Sequence, residues 1–140
     1  MKAYLDASVL VALFTNDALT SRAEDLLRKG LPTLAVSDFA AAEFASAVAR
    51  RVRTAELLAD EAWQAFSTFD VWTARTVVRI ETVHADVRAA EAFLRRLDVG
   101  VRTPDALNIA IVQRTGCNLI TFDRKMAAAA QALGLAVAMA

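Results

Sequence analysis

Four acidic side chains stand beside apolar segments, where an unpaired charge is costly to bury. Asp6 closes a short extended run and precedes the apolar residues 9–14. Asp105 lies in the first turn of a predicted helix that is otherwise apolar nearly all round, and Asp123 follows another apolar run. Glu43 lies inside a predicted helix and shares its apolar face. Each of these carboxylates therefore needs a cationic partner, a bound ligand or an opening to solvent.

Each acid also has a structural interpretation that involves no ligand. Asp105 and Asp123 suit helix starts, where a carboxylate caps backbone N–H groups and meets the positive end of the helix dipole. Glu43 is the least well explained without a ligand, and a salt bridge to an arginine is its best structural explanation. A strand-end acid such as Asp6 gains little unless something binds it. Considered together, the four acids favour a shared site, and Asp38 is assigned to a helix N-terminus.

Four carboxylates gathered at one site repel one another, and a bound divalent cation relieves that repulsion. A set of oxygen ligands without histidine or cysteine selects a hard ion, so the expected ion is Mg²⁺ or Mn²⁺. The single Cys117 and the single His84 exclude a disulfide framework and a zinc site with several thiolates or imidazoles. A site of this kind recruits phosphate and lowers the pKa of a bound water, which favours phosphodiester hydrolysis.

Three polar residues are spaced so that they could support the acids. Ser8 and Thr121 each lie two residues from one of the acids, and in extended chain they would face the same side as that acid. Asn108 follows Asp105 by three positions and shares its helix face. Ser8 is explained equally well as a helix cap.

The elements that must position these side chains alternate between strands and helices. The predicted strands are 2–6, 34–36, 76–83, 118–122 and 135–139. The predicted helices are 9–15, 18–29, 38–51 capped by Ser37, 54–69 capped by Thr54, 86–97, 103–114 and 123–133, with Pro32 in a connection. This alternation predicts an α/β fold, a parallel sheet with helices on both faces. In such a sheet ligands bind beyond the carboxyl ends of the strands, where Asp6 is expected to lie.

Length and composition predict a globular protein with one domain, spanning 1–140. The apolar fraction is 56% and the charged fraction 23%, with a formal net charge of zero, so no global basic field indicates nucleic acid. The apolar run 9–14 is too short to cross a bilayer, and Met1 and Lys2 are followed directly by a strand rather than by a signal peptide. These features predict a cytoplasmic protein with no membrane partner.

Four short stretches carry a more specific signal because of their order along the chain. They are YLDAS at 4–8, VSDFAAAE at 36–43, TPDALNIA at 103–110 and LITFD at 119–123. In residue type, order and approximate spacing they resemble the PIN-domain family, and within it the VapC-type toxins of bacterial and archaeal toxin–antitoxin pairs. The resemblance covers the whole chain.

The resemblance implies a PIN-like parallel sheet of about five strands flanked by helices, an acidic Mg²⁺ or Mn²⁺ site and ribonuclease activity. The acidic quartet of the family falls on Asp6, Glu43, Asp105 and Asp123, and its usual hydroxyl falls on Thr121. Many relatives carry histidine where this chain has Asn108, a departure that touches only a supporting position. The family also implies a homodimer and a small VapB-like antitoxin whose C-terminal segment covers the site, often with an arginine entering it.

Two other functions compete with the ribonuclease interpretation. One is a PIN fold retained as a binding module without catalysis, which the presence of all four acids argues against. The other is a phospho-acceptor receiver domain, which also has an acidic, Mg²⁺-binding sheet edge. A receiver needs a lysine at the end of its last strand, and nothing after Lys125 is basic. Which RNA is cut, which antitoxin binds and how many metal ions take part are left open by the sequence.

Overall fold

The computed structural model describes residues 2–30 and 33–139, and within them five parallel strands form one sheet. The strands are β1 Lys2–Leu5, β2 Thr33–Ser37, β3 Val77–Ile80, β4 Asn118–Thr121 and β5 Val137–Met139. Their order across the sheet is β3-β2-β1-β4-β5, and all four neighbouring pairs are parallel. The short apolar runs that precede Asp6 and Asp123 thus form the neighbouring strands β1 and β4.

Seven helices connect these strands in the described residues. They are α1 Ala7–Phe14, α2 Thr20–Arg28, α3 Asp38–Arg53, α4 Ala59–Thr76, α5 His84–Arg95, α6 Thr103–Thr115 and α7 Arg124–Ala132. Since crossovers between parallel strands are right-handed, the connections running from β1 towards β3 place α1 to α4 on one face of the sheet. The connections from β3 to β4 and from β4 to β5 run in the opposite direction and place α5 to α7 on the other face of the sheet. The predicted α/β/α architecture is confirmed.

The core lies on both faces of β1, whose residues Tyr4 and Leu5 are fully buried. On one face, the rings of Phe14, Phe44 and Phe69 pack with centroids 4.7–5.9 Å apart and join α1, α3 and α4. On the other face, residues 106–112 of α6 are all buried. This burial explains why α6 is apolar nearly all round, as a helix enclosed on every side must be.

The structure corrects the predicted boundaries around the fourth helix. Thr54 ends α3 instead of beginning the next helix, because its N–H bonds back to the carbonyl of Arg50. The chain then turns through Ala55, whose φ is +61°, and α4 begins only at Ala59. α4 continues to Thr76, beyond the predicted end at 69, because its buried face continues through Thr73.

Other boundaries move by a few residues for identifiable reasons. The predicted strand 76–83 is shortened to β3, whose four residues pair with Leu34 to Ser37 of β2. The first helix begins at Ala7 because Asp6 caps it. The last strand is Val137–Met139, the three residues that pair with β4. Pro32 lies outside the described residues, and none of the described helices is long and apolar enough to cross a membrane.

Candidate active site

The candidate site lies at the carboxyl edge of the sheet, where the strand order reverses. From β1 the chain continues to β2 and β3 on one side of β1, and it later returns to β4 on the other side. In parallel sheets such a reversal opens a crevice between the two central strands. Asp6 directly follows β1 and Asp123 comes two residues after the end of β4. The parallel pairing of β1 with β4 therefore brings these two acids to the same edge.

Asp6 is the most enclosed of the four acids, with 4% of its surface exposed. Its Oδ1 accepts hydrogen bonds from the Ser8 hydroxyl at 2.6 Å and from the Val9 N–H at 3.2 Å, and its Oδ2 accepts one from the Thr121 hydroxyl at 2.6 Å. Burial raises the pKa of Asp6 to about 6, Asp123 adds to the rise, and the three donors oppose it. The carboxylate is thus fixed in position, and it is also the N-cap of α1.

Two hydroxyl groups link Asp6 to the chain that leaves β4. Thr121 Oγ1 donates to Asp6 and accepts the N–H of Asp123 at 2.9 Å. Ser8 Oγ donates to Asp6 and accepts the N–H of Phe122 at 3.0 Å. Ser8 therefore contacts the carboxylate of Asp6, beside which the sequence placed it, and serves as a bridge instead of a helix cap. Thr121 contacts the backbone of its neighbour Asp123 and the carboxylate of Asp6. The positions of Asp6 and of the Asp123 backbone are coupled through these hydroxyls.

Glu43 projects from α3 and is only partly buried. Its Oε1 accepts a hydrogen bond of 2.7 Å from the Asn108 amide. In the described structure the partner of Glu43 is therefore an amide, not the arginine of the alternative salt bridge. Burial raises the pKa of Glu43 to about 7, with further contributions from Asp6 and Asp105. Glu43 thus lies within electrostatic reach of two other acids of the predicted set.

Asp105 and Asp123 complete the set in different ways. Asp123 caps α7, since its Oδ1 accepts the N–H of Met126 at 3.1 Å, so its structural interpretation is also correct. Asp105 lies in the first turn of α6, where its carboxyl group has a hydrogen bond with the backbone of the N-cap residue Arg102, whose own side chain makes no capping bond. Burial raises the pKa of Asp105, and Asp123 raises it further.

The four acids form a closed ring of electrostatic repulsion. Asp123 acts on Asp6 and Asp105, and these two in turn act on Glu43. Their donor atoms are all carboxylate oxygens, which fit Mg²⁺ or Mn²⁺ in chemistry. Over residues 2–30 and 33–139, however, no three acidic, histidine or cysteine side chains are close enough to hold an ion by themselves.

These two observations agree with an open site whose acids repel one another in the absence of an ion. Mg²⁺ commonly takes one or two carboxylates directly and keeps several waters, so it does not require a closed group of three side chains. That all four acids contact the ion directly stays a prediction.

Two residues near the site, Tyr4 and Ser37, were not predicted from the sequence as site residues, although Ser37 was correctly predicted to cap α3. The Tyr4 hydroxyl lies 2.6 Å from Ser37 Oγ and donates to Asn108 Oδ1 at 2.6 Å. A signal was available, because a tyrosine in the middle of a buried strand needs a polar partner for its hydroxyl. The identity of that partner was not readable, since Asn108 lies 104 positions away.

A five-stranded parallel sheet has Asp6 and Asp123 at its switch point, with Glu43 and Asp105 within electrostatic reach of them. This arrangement defines an α/β protein with an acidic candidate active site. The sequence model of the PIN domain matches residues 3–132, and the chain belongs to the PIN-domain family. The resemblance predicted from the four stretches is confirmed, and the receiver-domain alternative is set aside.

Known proteins similar to this chain include VapC proteins. Ribonuclease VapC3 of Pyrobaculum aerophilum is 29% identical over 127 residues, which cover 91% of this chain and 93% of that protein. The crystal structure of Mycobacterium tuberculosis VapC20, described as a Sarcin-Ricin loop cleaving toxin, has a TM-score of 0.75 at 20% identity and covers 95% of both chains. A toxin-antitoxin complex from Klebsiella pneumoniae gives a TM-score of 0.61 at 21% identity over 86% of both chains. The structural matches confirm the fold.

Proposed function

We propose that this chain is a metal-dependent endoribonuclease of the VapC type, the toxin of a type II toxin–antitoxin pair. The observation that carries the proposal is the gathering of carboxylates at the sheet edge of a PIN fold, where the Thr121 hydroxyl ties Asp6 to the backbone of Asp123 and the Asn108 amide holds Glu43. Crowded carboxylates raise one another's pKa, a bound cation relieves their repulsion, and perturbed groups of this kind cluster at functional sites. The name of the Pyrobaculum relative, a ribonuclease, supports RNA as the substrate class.

In this proposal Asp6, Glu43, Asp105 and Asp123 hold Mg²⁺ or Mn²⁺. When bound, the ion polarises the scissile phosphate and makes a water nucleophilic near neutral pH. Asp6 is presented in one orientation by Ser8, Thr121 and the Val9 N–H. Glu43 is held through Oε1 by the Asn108 amide, which leaves Oε2 as its available ligand atom. The protein thus contributes fixed carboxylates whose positions are set before RNA arrives.

Metal-dependent cleavage is the direct test of this activity. The purified chain is incubated with total RNA in the presence of chelator, Mg²⁺, Mn²⁺ or Ca²⁺, and cleavage is followed on denaturing gels. We expect cleavage with Mg²⁺ or Mn²⁺, none with chelator, and none with Ca²⁺, which the carboxylates bind in a looser geometry. Cleavage that persists at the same rate in chelator would contradict the role of the ion.

The proposal includes a small VapB-like antitoxin that covers the acidic site, and a homodimer as the toxin's own assembly. The Klebsiella structure, which is described as a toxin-antitoxin complex, supports a partner of this kind. On α4 and just before it, large apolar side chains are exposed: Leu58 by 71%, Trp63 by 68% and Val71 by 53%. Surfaces of this type are typical of protein interaction sites. We place the pair in the cytoplasm, where RNA substrates are found.

Co-expression tests the toxin assignment. Expression of the chain alone is expected to arrest growth, and expression together with the neighbouring short reading frame is expected to restore it. The matched control is Asp6→Asn, which should be harmless alone. If the wild-type chain is harmless with its four acids intact, the binding-module alternative is preferred.

A further inference from the structure

A second group of buried polar side chains leads from the start of α3 to Glu43. Tyr4 and Ser37 are fully buried, and Asn108 is 2% exposed. The Tyr4 hydroxyl contacts both Ser37 Oγ and Asn108 Oδ1, each at 2.6 Å, and Asn108 Nδ2 donates to Glu43 Oε1 at 2.7 Å. The chain of hydrogen bonds therefore joins β1, α3 and α6 behind one of the four acids.

The direction of each hydrogen bond in this chain follows from its neighbours. Asn108 Nδ2 faces two acceptors, the Glu43 carboxylate and the carbonyl of Pro104 at 3.0 Å. A flipped amide would place its oxygen against both acceptors, so Oδ1 must face Tyr4 and accept its proton. Tyr4 has no second proton, and the hydrogen bond to Ser37 is therefore donated by Ser37.

Ser37 can donate because its acceptor role is filled by α3. The N–H of Ala40 donates to Ser37 Oγ at 2.9 Å, which makes Ser37 the N-cap of the helix that carries Glu43. All donors thus point in one direction, from α3 through Tyr4 to Glu43. Burial excludes water, so a member that loses its partner stays unsatisfied, and the orientation of the amide is strongly determined.

We propose that Tyr4 and Ser37 are positioning residues for the active site: they hold the Asn108 amide in the one orientation that donates to Glu43. Neither residue reaches the reacting atoms, and both act through Asn108. This inference rests on the proposed ribonuclease function for its kinetic consequences, whereas the orientation of the amide is a property of the protein alone. In metal centres, partners of this kind typically contribute about 10–100-fold to metal affinity or activity.

Two substitutions separate positioning from general stability. Tyr4→Phe removes only the hydroxyl, and Asn108→Asp keeps the shape but replaces the donor that faces Glu43 with an acceptor. The matched control is Thr73→Val, which removes another buried hydroxyl, one that donates to the carbonyl of Asp70 on α4. Ser37→Ala is less informative because it also removes the cap of α3.

Three measurements are made on the full chain. The first is the pair of side-chain amide signals of Asn108 in ¹⁵N NMR spectra without metal. The second is the Mn²⁺ concentration that gives half of the maximal rise in melting temperature. The third is kcat and KM for RNA cleavage. In Tyr4→Phe we expect the Asn108 signals to shift or broaden. We also expect the Mn²⁺ concentration for the half-maximal effect to rise about tenfold, or kcat to fall about tenfold, while KM stays unchanged.

The result for Tyr4→Phe is interpreted by comparison with Asn108→Asp and with the control Thr73→Val. Asn108→Asp is expected to lose more activity than Tyr4→Phe, since it places a second carboxylate against Glu43. Thr73→Val should lower the melting temperature alone. If Tyr4→Phe behaves like Thr73→Val, with unchanged Asn108 signals, Mn²⁺ response and kcat, the positioning role is overturned.

Failure of the proposed function gives a different pattern. If the wild-type chain neither responds to Mn²⁺ nor cleaves RNA, the ribonuclease proposal fails. The Asn108 signals then decide the orientation inference by themselves: a shift in Tyr4→Phe supports it, and unchanged signals overturn it.

Discussion

At the scale of single residues, Asp6 combines two roles that favour opposite charge states. As the cap of α1 and the acceptor of three hydrogen bonds it is stabilised in its ionised form, whereas burial and Asp123 stabilise the protonated form. Burial and Asp123 have the larger effect, and the pKa of Asp6 therefore rises from its ordinary 3.8 to about 6. The folded protein therefore binds this proton more tightly than the unfolded chain does. The stability that results is fully present below pH 4 and is lost as the pH rises through about 6.

The metal-free protein is accordingly expected to be less stable at pH 8 than at pH 5. Asp6 contributes about 1.4 kcal/mol to this difference, the part of its low-pH stabilisation that is still present at pH 5. Glu43, with its pKa of about 7, adds a loss in the same direction. Urea denaturation at the two pH values measures the difference. Asp6→Asn should reduce it markedly, and an equal difference in wild type and Asp6→Asn would contradict the assignment.

A second prediction concerns Thr121, whose hydroxyl bridges Asp6 and the backbone of Asp123. Thr121→Val keeps the shape but removes both hydrogen bonds. The free energy of unfolding should therefore fall by about 1–3 kcal/mol, which is measured as a lower melting temperature. Cleavage should fall as well, because both acids lose a constraint. Thr121→Ser keeps the hydroxyl and is the matched control. Full cleavage by the valine variant would show that the bridge does not serve the site.

At the scale of elements, the face that carries α5 and α6 is closed by an ion pair away from the acids. Arg114 of α6 donates to both carboxylate oxygens of Asp86, at 2.7 and 3.0 Å, and to the carbonyl of Glu81. Asp86 is 1% exposed, so loss of the arginine leaves its charge poorly compensated. The guanidinium ties the start of α5 to the end of α6 and so stabilises the helix that carries Asp105.

Arg114→Met is therefore expected to destabilise the fold by about 2 kcal/mol, with RNA cleavage per folded molecule unchanged. Urea denaturation measures the effect. The control is Arg95→Met, which breaks an ion pair with Glu91 whose side chains are 78% and 62% exposed. Such exposed pairs contribute about 0.2–1 kcal/mol at most. Equal effects of the two substitutions would show that the Asp86 pair has no special structural role.

At the scale of the whole molecule, the ion is expected to offset the repulsion among the four acids. A ligand that binds only the folded state stabilises it by RT ln(1 + [L]/Kd), which is about 2.7 kcal/mol at a hundredfold excess over Kd. The melting temperature should therefore rise with Mg²⁺ or Mn²⁺. Calcium should raise it too, without supporting cleavage. An unchanged melting temperature up to millimolar Mn²⁺ would argue against a carboxylate metal site.

The sheet and the approximate place of two acids were predictable from local pattern. Apolar runs that alternate with helices predict a parallel sheet, and an acid that follows such a run must lie near its carboxyl edge, as Asp6 and Asp123 do. The end of α3 was not predictable in the same way. Thr54 suits a helix start in isolation, and only its hydrogen bond to Arg50 shows that it ends one.

The supporting contacts of the site depend on distant parts of the chain. Tyr4 and Asn108 are 104 positions apart, and Asp6 and Thr121 are 115 apart, so no local pattern encodes these pairs. The spacing of Asn108 from Asp105 indicated a shared helix face, but its contact with Glu43 depends on how the fold places α6 relative to α3.

The central claim is that the four acids act as one metal site for RNA cleavage, and amide substitution tests it most directly. Asp6→Asn, Glu43→Gln, Asp105→Asn and Asp123→Asn each remove a charge and nearly keep the shape. Asp38→Asn is the control, because Asp38 is exposed and pairs with Arg79 away from the ring.

The measurement pairs the melting temperature without metal with cleavage of total RNA in Mn²⁺. Each variant in the ring is expected to lose cleavage. Asp6→Asn should also fold as well as wild type or better, since repulsion is relieved. Asp38→Asn should be nearly silent in both assays. Cleavage that survives in Asp6→Asn, or a large loss of metal-free stability with cleavage intact, would contradict the shared site.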